Sequence, residues 1–202
     1  RSPVGNIAKA AEERDIFWGM VERRERADGR VQGVIIAELP YEPEIGADGR
    51  RRIVEAFGGV LADLGLRWHG TVHRPDDHSD PRNFHMHLVY GERPAEPTAV
   101  GWRFADRKAP ETRKMGFLPM LRQRFADAVN AELEAAGMRR RYDPRSYEKM
   151  GIDKQPGVHL GVSAAALERK GVVTVKGRRN VTAEMMFRLA GEVVAARDGI
   201  AE

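Results

Sequence analysis

The stretch HRPDDHSDPRNFHMH, from His73 to His87, carries imidazoles at both ends and in its polar middle. On a strand the side chains alternate faces, so in FHMHLVY the rings of His85 and His87 project together while Phe84, Met86 and Leu88 turn inward. Their spacing along such a strand is roughly 6.6 Å. If the preceding TVH segment pairs beside this strand, His73 supplies a third nitrogen, and the three form an open site with positions left for water or substrate. Such a site suits an ion that does chemistry. The chain has no cysteine, so any metal must be held by nitrogen and oxygen ligands. His78, in the loop, is a weaker fourth candidate, and His69 lies four residues before His73, too far along the same strand for one ion. The bland alternative is a pair of surface histidines on a half-exposed strand.

The elements that must position these residues follow from periodicity. AKAAEERDIFWGMVERRERAD, residues 8–28, reads as a helix with Ile16, Phe17, Met20 and Val21 on its apolar stripe and Trp18 in the core. VQGVIIAELP, residues 31–40, reads as a strand. A loop at Gly46-Ala47-Asp48-Gly49 leads to a helix from Arg50 to Leu64. RWHGTVHR and FHMHLVYGE read as paired strands joined by a polar connection, with Tyr90 on the inward face. After Pro94 the chain should make an irregular excursion, and a long amphipathic helix should run from Glu111 to Ala136. Asp143-Pro144 looks like the start of a short helix through Met150, and Ser163 and Thr182 look like caps of two more. The last of these, with Met185, Met186, Phe187, Leu189, Val193 and Val194, reads as a packing helix. The class is α/β with at least one antiparallel pair.

Composition sets the outer bounds. The 202 residues, 42% hydrophobic, can bury a core. No apolar run approaches the ~18 residues of a membrane span and no secretory pattern opens the chain, which reads as a cytoplasmic protein. The net charge is +4, but the 34 Lys and Arg are clustered at Arg23-Arg24, Arg50-Arg51-Arg52, Arg139-Arg140-Arg141 and Lys176-Gly177-Arg178-Arg179. Each run alone is ordinary solvated surface; together they suit a polyanion.

RNFHMHLVYGER, preceded by a strand ending TVH, resembles the histidine-hydrophobic-histidine motif of the HUH endonucleases, and in particular of the MobA/MobL family of plasmid relaxases. DIFWGMVERRERADGRVQGVIIAELP and RYDPRSYEKMGIDKQPGVHLG are similar to further family segments in the same order, so the resemblance covers residues 15–163. It implies a central, mostly antiparallel sheet with the histidines in its middle and helices on the opposite face. It implies a relaxase-like nuclease domain over residues 1–163, with 164–202 a C-terminal helical extension packed on it.

The implied activity is nicking and strand transfer of one DNA strand at a plasmid transfer origin, through a tyrosine–DNA covalent intermediate. A divalent ion (Mg²⁺, Mn²⁺ or Zn²⁺) on His73, His85 and His87 would polarise the scissile phosphate. Partners would be single-stranded or hairpin origin DNA, with accessory relaxosome proteins. Asn83 occupies the motif's asparagine position behind the ligands, and Ser146 and His159 match later motif positions supporting the wall of the site. Arg145 would contact phosphate, with Arg141 and Arg139 extending the track and Lys176 and Arg178 adding to it; Trp68, Trp102 and Tyr142 are candidates to stack on unpaired bases.

The sequence departs from the family in two ways. The family's nucleophilic tyrosine lies near the N-terminus, whereas here none precedes Tyr41, and a chain opening Arg1-Ser2 reads as a trimmed product; the nucleophile is then either absent or one of Tyr41 and Tyr147. The family's strand before Leu-Pro carries glutamates, and here Val34, Ile35 and Ile36 stand there, leaving Glu38 as the helper acid. Two other readings use the same residues: an origin-binding module without a nucleophile, and a three-histidine metal hydrolase of a small substrate.

Overall fold

The computed structural model describes residues 3–76 and 80–200, the side chains of 193–200 excepted. His78 and the side chains of Val193 and Val194 lie outside the described residues. Two compact units divide the chain, Arg1–Pro144 and Arg145–Glu202.

The first unit is built on a four-stranded antiparallel sheet. Its strands are β1 (Val4–Gly5), β2 (Gln32–Glu38), β3 (Trp68–His73) and β4 (His85–Gly91), in the order β1-β3-β4-β2. The two histidine-bearing strands are thus the central pair. Along β4, buried and half-buried residues alternate, with Met86, Leu88 and Tyr90 on the face that meets the core. That face is covered by α2 (Gly46–Asp63) and α3 (Phe117–Ala135), which contribute Ile53, Val54, Phe57, Leu61, Val129 and Leu133. Fully burying a side chain of this kind stabilises by about 1.5–3 kcal/mol. Contact is close enough to require glycine at one point: a Cβ on Gly58 of α2 would sit 2.1 Å from the Trp68 ring.

A second, smaller cluster joins α1 (Ala11–Arg24) to a β-hairpin of β5 (Ala95–Thr98) and β6 (Gly101–Phe104). Phe17 is its centre, edge-on to both Trp18 and Trp102 at about 5 Å. This hairpin replaces the irregular excursion expected after Pro94. Pro97 is tolerated because the pair is a two-stranded ribbon, and Gly101 takes the positive φ of 130° that the turn demands.

Several boundaries also move. α2 begins at Gly46 rather than Arg50, because the Arg50 side chain donates to Gly46 O at 2.8 Å and to Pro40 O at 2.6 Å, tying the first turn down. Residues Pro110–Arg113 form a separate 3₁₀ turn, and α3 starts only after Gly116.

No helix opens at Pro144, the last residue of the first unit. The chain reaches a 3₁₀ turn at Glu148–Met150, capped by Ser146 Oγ accepting from Lys149 N and closed by Gly151 with φ 70°. α4 (Gly161–Arg169) and α5 (Val175–Ile200) begin earlier than Ser163 and Thr182, which lie inside them. Thr174 caps α5 instead, its Oγ1 accepting from Gly177 N at 3.0 Å. Met185, Met186 and Leu189 of α5 are exposed rather than packed.

Candidate metal centre

The antiparallel register sets the centre. His73 on β3 stands opposite His85 on β4, and Thr71 stands opposite His87. Directly paired residues share a face, so one surface of the sheet carries His73, His85 and His87 together, away from the core. The ring centroids are 5.2 Å apart for His73–His85, 4.2 Å for the stacked pair His73–His87 and 5.2 Å for His85–His87. One nitrogen from each lies within 4.8 Å of the others, and all three rings are half-buried. Around a tetrahedral ion with metal–nitrogen bonds of about 2.0–2.1 Å, donor atoms stand roughly 3.3 Å apart. Small side-chain rotations therefore close this set on one cation, so the donors fit a divalent ion. Three imidazoles without a carboxylate favour Zn²⁺ or Mn²⁺ over Mg²⁺ on ligand preference.

Two neighbours orient the rings. His85 Nδ1 lies 3.1 Å from the backbone carbonyl of Asn83; as a donor there it leaves Nε2 with its lone pair free. Among the described residues the Asn83 amide side chain makes no bond to the imidazoles; the contact to His85 is from its main-chain carbonyl. Thr71 Oγ1 lies 3.2 Å from His73 Nε2. Thr71 escaped the sequence reading, although alternation puts it on the face of His73 two residues earlier.

His69 shares the face but not the centre. It pairs with Val89, packs edge-on to Trp18 at 5.9 Å, and has a buried Nδ1 without a hydrogen-bond partner. Burial, with the charge of Arg14, depresses its pKa. On β2, Glu38 faces His85 and Ile36 faces His87; Val34 and Ile36 are exposed on this surface, whereas Ile35 packs on the core. The only side chain of β2 with a carboxylate next to the imidazoles is that of Glu38, which is exposed.

A buried ionic latch closes the end of the sheet where these residues meet. Arg50, 6% exposed, donates to Pro40 O, Gly46 O and Glu42 O, and its guanidinium lies 3.9 Å from the centre of the Phe84 ring. Leu39 N donates to Phe84 O at 2.8 Å, so the last residue before His85 is tied to the end of β2. Glu42 is bonded to Arg140 at 2.6 Å. Burial pushes the Glu42 carboxyl up, but its hydrogen bonds to the backbone and to Arg140 outweigh this and hold it below the usual glutamate range. Arg50 is thus a structural member of what reads in sequence as a basic surface run.

The other expected residues are distributed over both units. Arg139 and Arg141 are exposed in the first unit, with Arg141 donating to Met138 O and Arg140 O. Arg145, Lys176 and Arg178 are exposed in the second unit, as is His159. Tyr41 is 41% exposed in the first unit and Tyr147 is 40% exposed in the second. Trp68 cannot stack on a base: it is 4% exposed beneath α2. Trp102 is half-buried against Phe17, and the backbone of Tyr142 is clamped by the Asn130 side chain.

A central antiparallel sheet with helices packed on it and histidines on its two middle strands is the α/β architecture of the HUH relaxases. A model of the MobA/MobL family matches residues 3–170, and the chain belongs to that family. It is 28% identical over 184 residues to mobilization protein A of Escherichia coli, a match covering 84% of this chain and 25% of that protein. It is 29% identical over 215 residues to mobilization protein MobL of Acidithiobacillus ferridurans, covering 93% and 55%. The chain thus spans from a quarter to about half the length of these relatives. The structure solved for the molecular basis of vancomycin resistance transfer in Staphylococcus aureus superposes with a TM-score of 0.56 at 21% identity, covering 72% of this chain and 75% of that one. Among the described residues no helix is long and apolar enough to cross a membrane.

Proposed function

We propose that this chain carries the DNA-nicking centre of a mobilization relaxase, acting on single-stranded or hairpin DNA at a plasmid transfer origin. The observation that carries the reading is the convergence of His73, His85 and His87 on one exposed face of the central strands, in a chain of the MobA/MobL family. A divalent ion held by these three supplies Lewis-acid stabilisation of the charge that shifts onto the phosphate oxygens. The protein's own groups orient the rings: the Asn83 carbonyl on His85 and the Thr71 hydroxyl on His73.

In the proposed reaction a tyrosine oxygen attacks the scissile phosphorus and loses its proton, and the bond to the 3′ oxygen breaks. The products are a free 3′ hydroxyl and a 5′ phosphotyrosine. One phosphodiester replaces another, so no nucleotide cofactor is needed. Tyr41 and Tyr147 are the candidates within this chain, and Glu38 is the candidate proton acceptor. The exposed Arg139 and Arg141 of the first unit and Arg145, Lys176 and Arg178 of the second are the candidate phosphate contacts, and Ser146 and His159 are candidate supporting residues in the second unit. Accessory relaxosome proteins complete the assembly, in the cytoplasm.

The test is incubation of the chain with end-labelled single-stranded and hairpin origin DNA and Mn²⁺ or Mg²⁺, resolved on a denaturing gel beside His85→Ala. A protein-linked DNA band absent from the variant is expected. Cuts ending in ordinary phosphate, made by water, would favour the metal hydrolase. A mobility shift on a native gel without cleavage would favour the origin-binding module.

A further inference from the structure

The end of the sheet away from the imidazoles carries a second cluster of charge. β4 runs from His85 to Gly91, roughly 20 Å at about 3.4 Å per residue, and just past its end Arg93 lines a cavity of about 510 Å³. The end of α1 and the segment after β6 form its walls, all within the first unit. Because β1 runs antiparallel to β3 with Val4 opposite Gly70, the chain before Val4 heads toward His73, away from this cavity. The size is that of a small-ligand pocket.

Every lining residue except Pro110 is charged. At the base the fold neutralises its own charges: the Arg93 and Lys108 side chains, 12% and 10% exposed, pair with Glu25 at 3.0 and 3.3 Å, and Lys108 also reaches the buried Glu92 at 3.2 Å. Arg24 is paired with Asp106 at 2.9 Å. The rim is different. Arg107 and Arg113 are exposed, and among the described residues neither side chain has a hydrogen bond or an ion pair. Arg26 has only the solvent-exposed Asp28 at 3.9 Å, a contact of small net worth. Three guanidinium groups thus line one cavity whose two acids, Glu25 and Asp106, are already engaged. Like charges held together repel, and an anion placed among them turns that repulsion into attraction. Guanidinium groups match phosphate oxygens with two parallel hydrogen bonds. The lining has no aromatic or aliphatic side chain other than Pro110, so it suits neither a base nor a protein partner, whose interface core would be apolar and aromatic.

We propose that this cavity is an oligophosphate-binding site, separate from the imidazole centre, in which Arg26, Arg107 and Arg113 hold adjacent phosphates above the fixed Arg93 and Lys108. Such phosphates come either as a free oligophosphate or as a stretch of nucleic-acid backbone, and the same guanidinium chemistry serves both. The site does not depend on the relaxase reading.

The test titrates inorganic tripolyphosphate into the full chain by calorimetry, with EDTA present so that no cation at the imidazoles bridges the ligand. One tripolyphosphate per chain is expected. Arg107→Ala and Arg113→Ala should each weaken it by about tenfold and the double variant by more, whereas Arg124→Ala, which removes an exposed charge of α3, should change it by less than about twofold. The variants should keep the melting temperature of the unsubstituted chain, since neither side chain bonds anything within the fold. A second arm adds a short DNA duplex of arbitrary sequence. Displacement of tripolyphosphate by the duplex, with duplex affinity lowered in the double variant, supports the site and identifies nucleic-acid backbone as its source of phosphate. Binding that the duplex does not displace supports it with a free oligophosphate as the source. No binding of tripolyphosphate, equal weakening by Arg124→Ala, or a polyglutamate peptide bound as tightly as tripolyphosphate would each overturn the proposal and leave the relaxase reading standing.

Discussion

His73 and His85 stand directly opposite one another on the two central strands of the sheet, ring centroids 5.2 Å apart. A shift of one residue in this register would send one ring into the core, so the pairing of β3 with β4 and the existence of the centre are one property. What fixes the register is the opposite face, where Val72 pairs with Met86, Gly70 with Leu88 and Trp68 with Tyr90 against α2 and α3.

Packing at Gly58 should be intolerant. Gly58→Ala places a Cβ 2.1 Å from the Trp68 ring, at the start of the strand that bears His73. Overpacking of this kind costs about 1–3 kcal/mol, and the melting temperature followed by circular dichroism should fall by roughly 2–10 °C. An unchanged melting temperature would mean that Trp68 packs elsewhere.

Arg50→Met should destabilise more than its neighbours. It strands the carbonyls of Pro40, Glu42 and Gly46 and removes the cation over Phe84, at a cost of about 2–4 kcal/mol, whereas Arg51→Met on the exposed face of the same helix should change stability by less than about 0.5 kcal/mol. Urea unfolding of the two variants decides it; equal midpoints would refute the latch.

Acid should loosen the same latch. The Glu42 carboxyl titrates below the ordinary glutamate value, so the unfolded chain binds its proton first as pH falls. Its contribution is therefore complete above the ordinary glutamate range and is lost as pH drops through that range toward the folded value. Glu42→Gln should flatten the decline of urea midpoint between about pH 5 and pH 3. An equally steep acid limb in the variant would contradict this.

Asn83→Ala should leave metal affinity within about twofold, because the partner of His85 is the main-chain carbonyl, which alanine retains. Calorimetric titration with Mn²⁺ or Zn²⁺ reads this; a loss beyond about tenfold would assign the orienting role to the amide side chain.

Much of the centre is legible in the sequence because a period of two is a strong signal: FHMHLVY puts two imidazoles on one side and three apolar groups on the other, and β4 does the same. His73 follows from the neighbouring TVH segment. Less legible are features set by tertiary contact. Pro94, Pro97 and Gly101 read as breakers, yet Ala95, Trp102 and Phe104 bury against Phe17 and hold a hairpin together. Gly46-Ala47-Asp48-Gly49 has the composition of a turn, but Arg50 bonds it into a helix. Arg50 itself looks like surface charge until three carbonyls are found around it. Trp68, an attractive stacking residue on paper, fits the notch left by Gly58.

Metal titration of the full chain tests the central claim most directly. Calorimetry with Zn²⁺ or Mn²⁺ should give one ion per chain, and His73→Ala, His85→Ala and His87→Ala should each lower the affinity by more than about a hundredfold while His69→Ala leaves it unchanged. A chain that binds no ion, or binds it equally well after these three substitutions, would contradict the account.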